Sequence, residues 1–300
     1  MWHFCSLLII YFITYLKYGR IFLGIMMENI FINRISFADG FRSSWFPSLF
    51  NQLEADAPNY LSYIWPTVMR SIDTQGFLGS ALYMTDMALD ACELVYEPQT
   101  GRSDLISHGM KNTEIQELEA TLDLFHYVQP QVLLIGAALA EAFNREQVGG
   151  QGSDQVRELS DREKGHLAIE VKMDHADPSF FSNIIDVLQL NKAPDLYRAL
   201  GKWQLAVSIF WDELQHLATY PDFRRRGRAL YYYARAGSKF LAVPLKADIP
   251  SLKKLGISDE EIMHAQQIVN DNVPVLAMMI MHSTAIRLAL GHSTREVVQS

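Results

Sequence analysis

Apolar residues recur along most of this chain at steps of three and four, the period of a helix with one buried face. Between positions 37 and 50 the stripe is rich in rings (Phe37, Phe41, Trp45, Phe46, Leu49, Phe50) and predicts one helix with a wide core face. Asn59 then opens a helix reaching Met69, with Trp65-Pro66 inside it as a kink or an early stop. A run from Gly79 to Val95 buries Leu82, Met84, Met87, Ala88 and Leu89, and ends in the turn chemistry of Glu97-Pro98-Gln99-Thr100-Gly101. Asn112-Thr113-Glu114 reads as a capped start for a helix carrying Leu118, Leu122 and Phe125, which His126-Tyr127-Val128-Gln129-Pro130 should break. Beyond that proline, Val132 to Ala140 is apolar on every side, a pattern a helix tolerates only when protein or lipid surrounds it. Polar residues close on either side favour protein.

The second half replays these landmarks. Phe180-Phe181 begin an apolar helix through Leu190, and Ala193-Pro194-Asp195 opens the next, as Ala57-Pro58-Asn59 does earlier. Ala229-Leu230-Tyr231 parallels Ala81-Leu82-Tyr83, and Val273-Pro274-Val275 leads into Leu276 to Met281 as Gln129-Pro130 leads into Leu133-Leu134-Ile135. With no alternating strand pattern in competition, the fold class expected is all-α: two tandem helical repeats forming a pseudo-twofold bundle, with the site at their junction. The divisions are a leader at 1–26, a first repeat at 30–143, a Gly-rich and charged linker at 144–172, a second repeat at 173–292 and a tail at 293–300. Asn and Asp are both good N-caps, because a side-chain oxygen accepts from the unpaired amides of the first turn. Capping alone therefore does not require the carboxylate of Asp195.

Composition narrows the function. A chain of 300 residues, 49% hydrophobic, can bury a large core, and a net charge of -8 argues against a nucleic-acid partner, which would need an extended basic face. Arg224-Arg225-Arg226-Gly227-Arg228 reads as a solvated surface run, with attraction of an anionic ligand as the sharper alternative. The two cysteines, Cys5 and Cys92, are too few and too far apart for a disulfide framework or a zinc site. The apolar stretch from Leu7 to Leu16 is interrupted by Lys17 and Arg20 before reaching the ~20 residues of a membrane span. A start at Met26 or Met27 explains it best. A cytoplasmic location follows, or a membrane-anchored one if residues 1–26 are genuine.

Most familiar chemistries are missing. Gly149-Gly150-Gln151-Gly152 is not a phosphate loop, since a helix precedes it and no Gly-Lys-Ser/Thr follows. Glu213-Leu214-Gln215-His216 and Glu261-Ile262-Met263-His264 have di-metal spacing, but Glu261 sits where Ser258 wants a capping-box partner, and the first half supplies no matching glutamates. No metal and no cofactor is expected. His126 and His282 lie in apolar surroundings and read as hydrogen-bonded core residues.

Phe125-His126-Tyr127-Val128-Gln129-Pro130, followed by Leu133-Leu134-Ile135, Ala138-Leu139 and Val148-Gly149-Gly150, together with Asp195-Leu196-Tyr197-Arg198-Ala199-Leu200 and Trp203, resembles the group I (D,L-) 2-haloacid dehalogenase family. The resemblance covers most of the chain after about Phe41. It implies an all-helical fold of two repeats and a cofactor-independent hydrolysis of 2-haloalkanoic acids, in which an aspartate-activated water displaces halide with inversion and without an ester intermediate. By that resemblance Asp195 is the catalytic aspartate, Gln129 stands where the family's water-positioning asparagine is found, and Trp45 or Phe46, Tyr127 and Pro194 border the substrate. Gln129 is one methylene longer than asparagine, and Pro194 replaces a small hydroxyl residue. The implied partners are a small halogenated carboxylic acid and water, with a homodimer left open. The alternatives are a helical binding or scaffold protein that kept the fold and lost the chemistry, and an enzyme of this fold acting on a different small acid.

Overall fold

The computed structural model describes residues 34–173 and 176–296. The expectations for residues 1–26, with Cys5, and for the last residues of the tail lie outside them. The described chain is all-α: α1 (34–41), α2 (Ser48–Asp56), α3 (Pro58–Ile72), α4 (Gln75–Glu93), α5 (Arg102–Ser107), α6 (Asn112–Ala142), α7 (Asp161–His166), α8 (Ser182–Leu188), α9 (Asp195–Leu200), α10 (Gln204–Thr219), α11 (Pro221–Gly237), α12 (Ile249–Lys254) and α13 (Asp259–Ala289).

The ring-rich stripe at 37–50 is two helices rather than one. Arg42 takes a left-handed φ of 54°, and Pro47, which lacks an N–H and disfavours helix in the residue before it, restarts the chain as the residue preceding α2. The stripe still faces inward, with Phe37, Phe41, Trp45 and Phe50 each no more than 1% exposed. The break expected at Gln129-Pro130 is absent. α6 runs unbroken through Pro130 for 31 residues, and α13 runs through Pro274 for the same length. Pro66 likewise sits inside a continuous α3. The core these helices occupy outweighs the one hydrogen bond each proline forfeits, a cost of about 3 kcal/mol.

α6 and α13 pack along one another at the centre, with α2, α4 and α11 around them. Residues 132–139 of α6 are all buried, so protein surrounds that apolar stretch. α13 is long and apolar enough to cross a membrane, but 61% of its apolar window is buried inside the protein. The Gly-rich segment is not a loose tether. Val148 exchanges hydrogen bonds of 2.9 and 2.7 Å with Leu245, and Gln75 donates to the Gln155 carbonyl at 2.8 Å. Gly149 and Gly150 supply the positive φ, 87° and 82°, that this docking path needs. Arg157 then ties it down through the carbonyls of Gly40 and Ile72 and an ion pair with Glu163.

Two helix starts differ from the local reading. Asn59 does not cap α3, since Pro58 is already its first residue. Instead its amide and side chain donate to Glu261 at 2.6 and 2.9 Å, joined by the Tyr60 amide at 2.9 Å. Ser258 does cap α13, but Glu261 does not return the favour, because its carboxylate is spent on α3.

Candidate active site

A cavity of about 460 Å³ opens between the start of α2, the middle of α6, residues 189–195 and one face of α13. Asp195 is the first residue of α9, and Pro194 is the residue before the helix, so the helix start expected there exists. Its carboxylate, however, does not cap α9. It reaches across to the N-terminus of α2, where Oδ2 accepts from the Ser48 amide at 2.7 Å and from the Trp45 indole at 3.2 Å, and Oδ1 accepts from the Ser48 hydroxyl at 2.5 Å. The Arg198 guanidinium stands 3.6 Å from Oδ1. A negative charge at a helix N-terminus is favourable, because the first-turn amides have no partner of their own. Asp195 is 11% exposed, so it is held by protein while still meeting the cavity.

Trp45 packs against Phe125 with ring centroids 4.4 Å apart and planes tilted by 33°, which holds the indole N–H toward the carboxylate. Gln129 lies mid-helix on α6, 1% exposed, and lines the same cavity. The Ser283 hydroxyl donates to its amide oxygen at 3.4 Å. Behind Asp195, the Tyr197 hydroxyl meets His282 Nδ1 at 2.7 Å, and its ring stands edge-on to Trp211. Burial pushes the Tyr197 phenol well above its ordinary range and the His282 imidazole down to about 3, so this pair is neutral.

Of the six residues implied by resemblance, Asp195, Gln129, Trp45 and Pro194 come together at the cavity; Phe46 and Tyr127 do not. Tyr127 is two residues from Gln129 and so about 200° around the same helix. Its ring lies 5.2 Å from His166 and 5.1 Å below the Arg162 guanidinium, with the phenol pushed up by burial and by Glu163. Phe46 packs on Phe37 and Phe50 under Arg34, on the far side of the chain from Trp45. Ser48 and Lys192 line the cavity and were not among the expected residues. The available signal for Ser48 was Pro47-Ser48-Leu49-Phe50, which matches Pro194-Asp195-Leu196-Tyr197 more closely than the segment at Asn59 does.

Among the described residues no three His, Cys, Asp or Glu side chains cluster as a metal site. The carboxylate of Glu213 accepts from the Tyr96 hydroxyl and the Gln99 amide, while His216 is exposed.

No protein-family model matches the sequence, and no curated protein matches it. Solved structures do resemble it. A D-2-haloacid dehalogenase mutant in complex with D-2-CPA and a D-2-haloacid dehalogenase mutant each superpose with a TM-score of 0.77 at 18% identity, over 87% of this chain and 91% of theirs. A D-2-haloacid dehalogenase in complex with L-LA matches with the same TM-score and identity, over 92% of its length. At that identity the likeness is one of fold: the chain has the helical fold of the haloacid dehalogenases, and the neighbours carry the D-specific name rather than the D,L one.

Proposed function

We propose that the chain is a hydrolase of carbon–halogen bonds, acting on 2-haloalkanoic acids by direct attack of water. The observation that carries this is the Asp195 carboxylate, oriented by Ser48 and Trp45 at the wall of a cavity that Gln129 also lines. A carboxylate offers about four lone-pair positions. Three are taken by Ser48 and Trp45, which leaves one on Oδ1, flanked by the Arg198 guanidinium at 3.6 Å, to accept from a water. That water gives its proton to Asp195 as its oxygen attacks C2, the carbon–halogen bond breaks on the opposite face, and halide leaves with its electron pair. The product is the 2-hydroxy acid of inverted configuration. Gln129, anchored by Ser283, directs the water; fixed geometry of this kind is worth as much as the base itself. Leu49, Val275, Leu276 and Met279 form apolar walls for the alkyl chain and halogen, and Lys192 attracts the substrate carboxylate at the rim.

The same reading takes α2 to α6 and α9 to α13 as tandem copies about a pseudo-twofold axis, with the cavity between them. The equal lengths of α6 and α13, each with its internal proline, support it. Pairing α2 with α9 then makes Ser48, rather than Asn59, the counterpart of Asp195, so that the two counterparts hydrogen-bond to each other.

Halide release from the separate enantiomers of 2-chloropropionate tests the activity and its stereochemical range. Wild-type protein should release chloride, and Asp195→Asn should lose 10²- to 10⁴-fold, about the worth of a general base. A single turnover in ¹⁸O-water should place the label in the hydroxy acid. Label in the protein would replace direct attack with an ester intermediate, and full activity in Asp195→Asn would remove the mechanism.

A further inference from the structure

A second cavity, of about 340 Å³, lies on the other face of α13 from the first, between α13 and α11. Its walls are apolar, with Phe223, Tyr231, Pro274, Ala277, Met278 and Met281 among them, and the unbranched methionines let such a wall adapt to its contents. Two arginines of the basic run, Arg224 and Arg228, line it one helical turn apart on the same face of α11. Both are exposed, and neither has an acidic partner among the described residues, whereas Arg225 is paired with Asp222 at 3.1 Å. The floor includes His282, 0% exposed, whose Nδ1 is used by Tyr197 and whose Nε2 has no hydrogen-bond partner.

The surroundings say what would fit: an apolar body of moderate volume, with a single negative head at two guanidiniums that have no acidic partner among the described residues, a charge arrangement that suits a carboxylate.

We propose that the cavity between α11 and α13 binds an amphipathic monocarboxylate, its chain among Phe223, Met278 and Met281 and its head group on Arg224 and Arg228. This site is separate from the one at Asp195 and does not depend on the chemistry assigned there.

Calorimetric titration of the full chain with decanoate, below its micelle concentration, tests the site. Binding should be saturable with one equivalent, and decan-1-ol should bind at least tenfold more weakly. Arg224→Gln combined with Arg228→Gln should weaken decanoate at least tenfold while leaving the alcohol unchanged. Gly227→Leu, which directs a side chain into the cavity from a helical position whose added Cβ meets only Met281 at 3.5 Å, should abolish binding with the circular dichroism intact. Lys192→Gln, which removes the cation at the rim of the first cavity, should bind decanoate as wild type does. Loss of binding in Lys192→Gln would move the ligand to the first cavity, and no saturable binding, or equal affinity in the double arginine variant, would overturn the proposal.

Discussion

Replacing Asp195 in two ways separates what the carboxylate does for the fold from what it does for a substrate. Three donors converge on it within 3.2 Å, and a hydrogen bond to a charged acceptor contributes about 1.5–3 kcal/mol against about 0.5–1.5 for a neutral one. Asparagine can keep all three. Its amide oxygen takes the Oδ2 position, serving the Ser48 amide and the Trp45 indole, while its NH₂ donates to a Ser48 hydroxyl that turns to accept. Only the charge assistance is lost, about 1–1.5 kcal/mol for each of the three bonds, and the desolvation relieved by removing a largely buried charge offsets part of it, leaving a net loss of about 2–3 kcal/mol. Alanine instead strands the Ser48 amide at the mouth of α2 and the Trp45 indole behind it, for a total of about 3–6 kcal/mol after water from the adjoining cavity offsets part of the loss. Urea denaturation followed by tryptophan fluorescence and circular dichroism should therefore rank wild type above Asp195→Asn above Asp195→Ala, with the two variants about 1–3 kcal/mol apart. Halide release should fall equally in both. If the two variants are equally stable, the carboxylate is not what holds the mouth of α2, and the donor geometry assigned to it is wrong.

Gln129→Leu keeps the side-chain volume and removes the amide; since the single proton of the Ser283 hydroxyl can go wholly to the nearer Ile280 carbonyl at 3.0 Å, stability should move by less than about 1 kcal/mol, while halide release should fall roughly tenfold or more through lost positioning. Burial opposes charge on Asp123 and Glu296, but hydrogen bonds from His166 and Arg162 to the former, and from His126 and Arg162 to the latter, outweigh it and hold Asp123 far below the usual carboxylate range and Glu296 at about 2. Carboxylates with lowered folded-state values stabilise the protein above the unfolded value near 4 and lose that contribution as pH falls. Unfolding free energy should thus drop between about pH 5 and pH 2, and Asp123→Asn should flatten that slope in urea titrations taken at stepped pH. A Cβ on Gly152 would sit 1.6 Å from the Phe240 carbonyl oxygen, so Gly152→Ala must unseat the docked segment, lowering the melting temperature by at least about 3 °C in a calorimetric scan.

What could be read from sequence divides by range. The helix start at Pro194-Asp195 is legible because proline geometry and first-turn amides act within a few residues. Where the Asp195 carboxylate points is not, since its donors Trp45 and Ser48 are 150 and 147 residues away and no local rule selects them. Glu261 illustrates the same limit: its spacing from Ser258 is that of a capping box, and a more distant helix end takes the carboxylate instead. Tyr127 and Gln129 are adjacent in a motif but on different sides of one helix, so a resemblance carried by the motif brings both to mind while only Gln129 reaches the cavity. Pro130 reads as a break because the packing of α6 on α13 that overrides it is tertiary.

The span between Ser48 and Asp195 also bears on the order of folding. Closing a loop of 147 residues costs on the order of 4 kcal/mol of chain entropy before any contact across it repays the loss. Helical hairpins such as α5 with α6, or α12 with α13, close over far shorter distances and form sooner. Until residues 45–48 meet residue 195, the mouth of α2 lacks its counter-charge and Asp195 lacks its donors. A refolding chain should therefore recover most of its helicity before it recovers the site, and the carboxylate becomes competent only in molecules whose two ends have found each other.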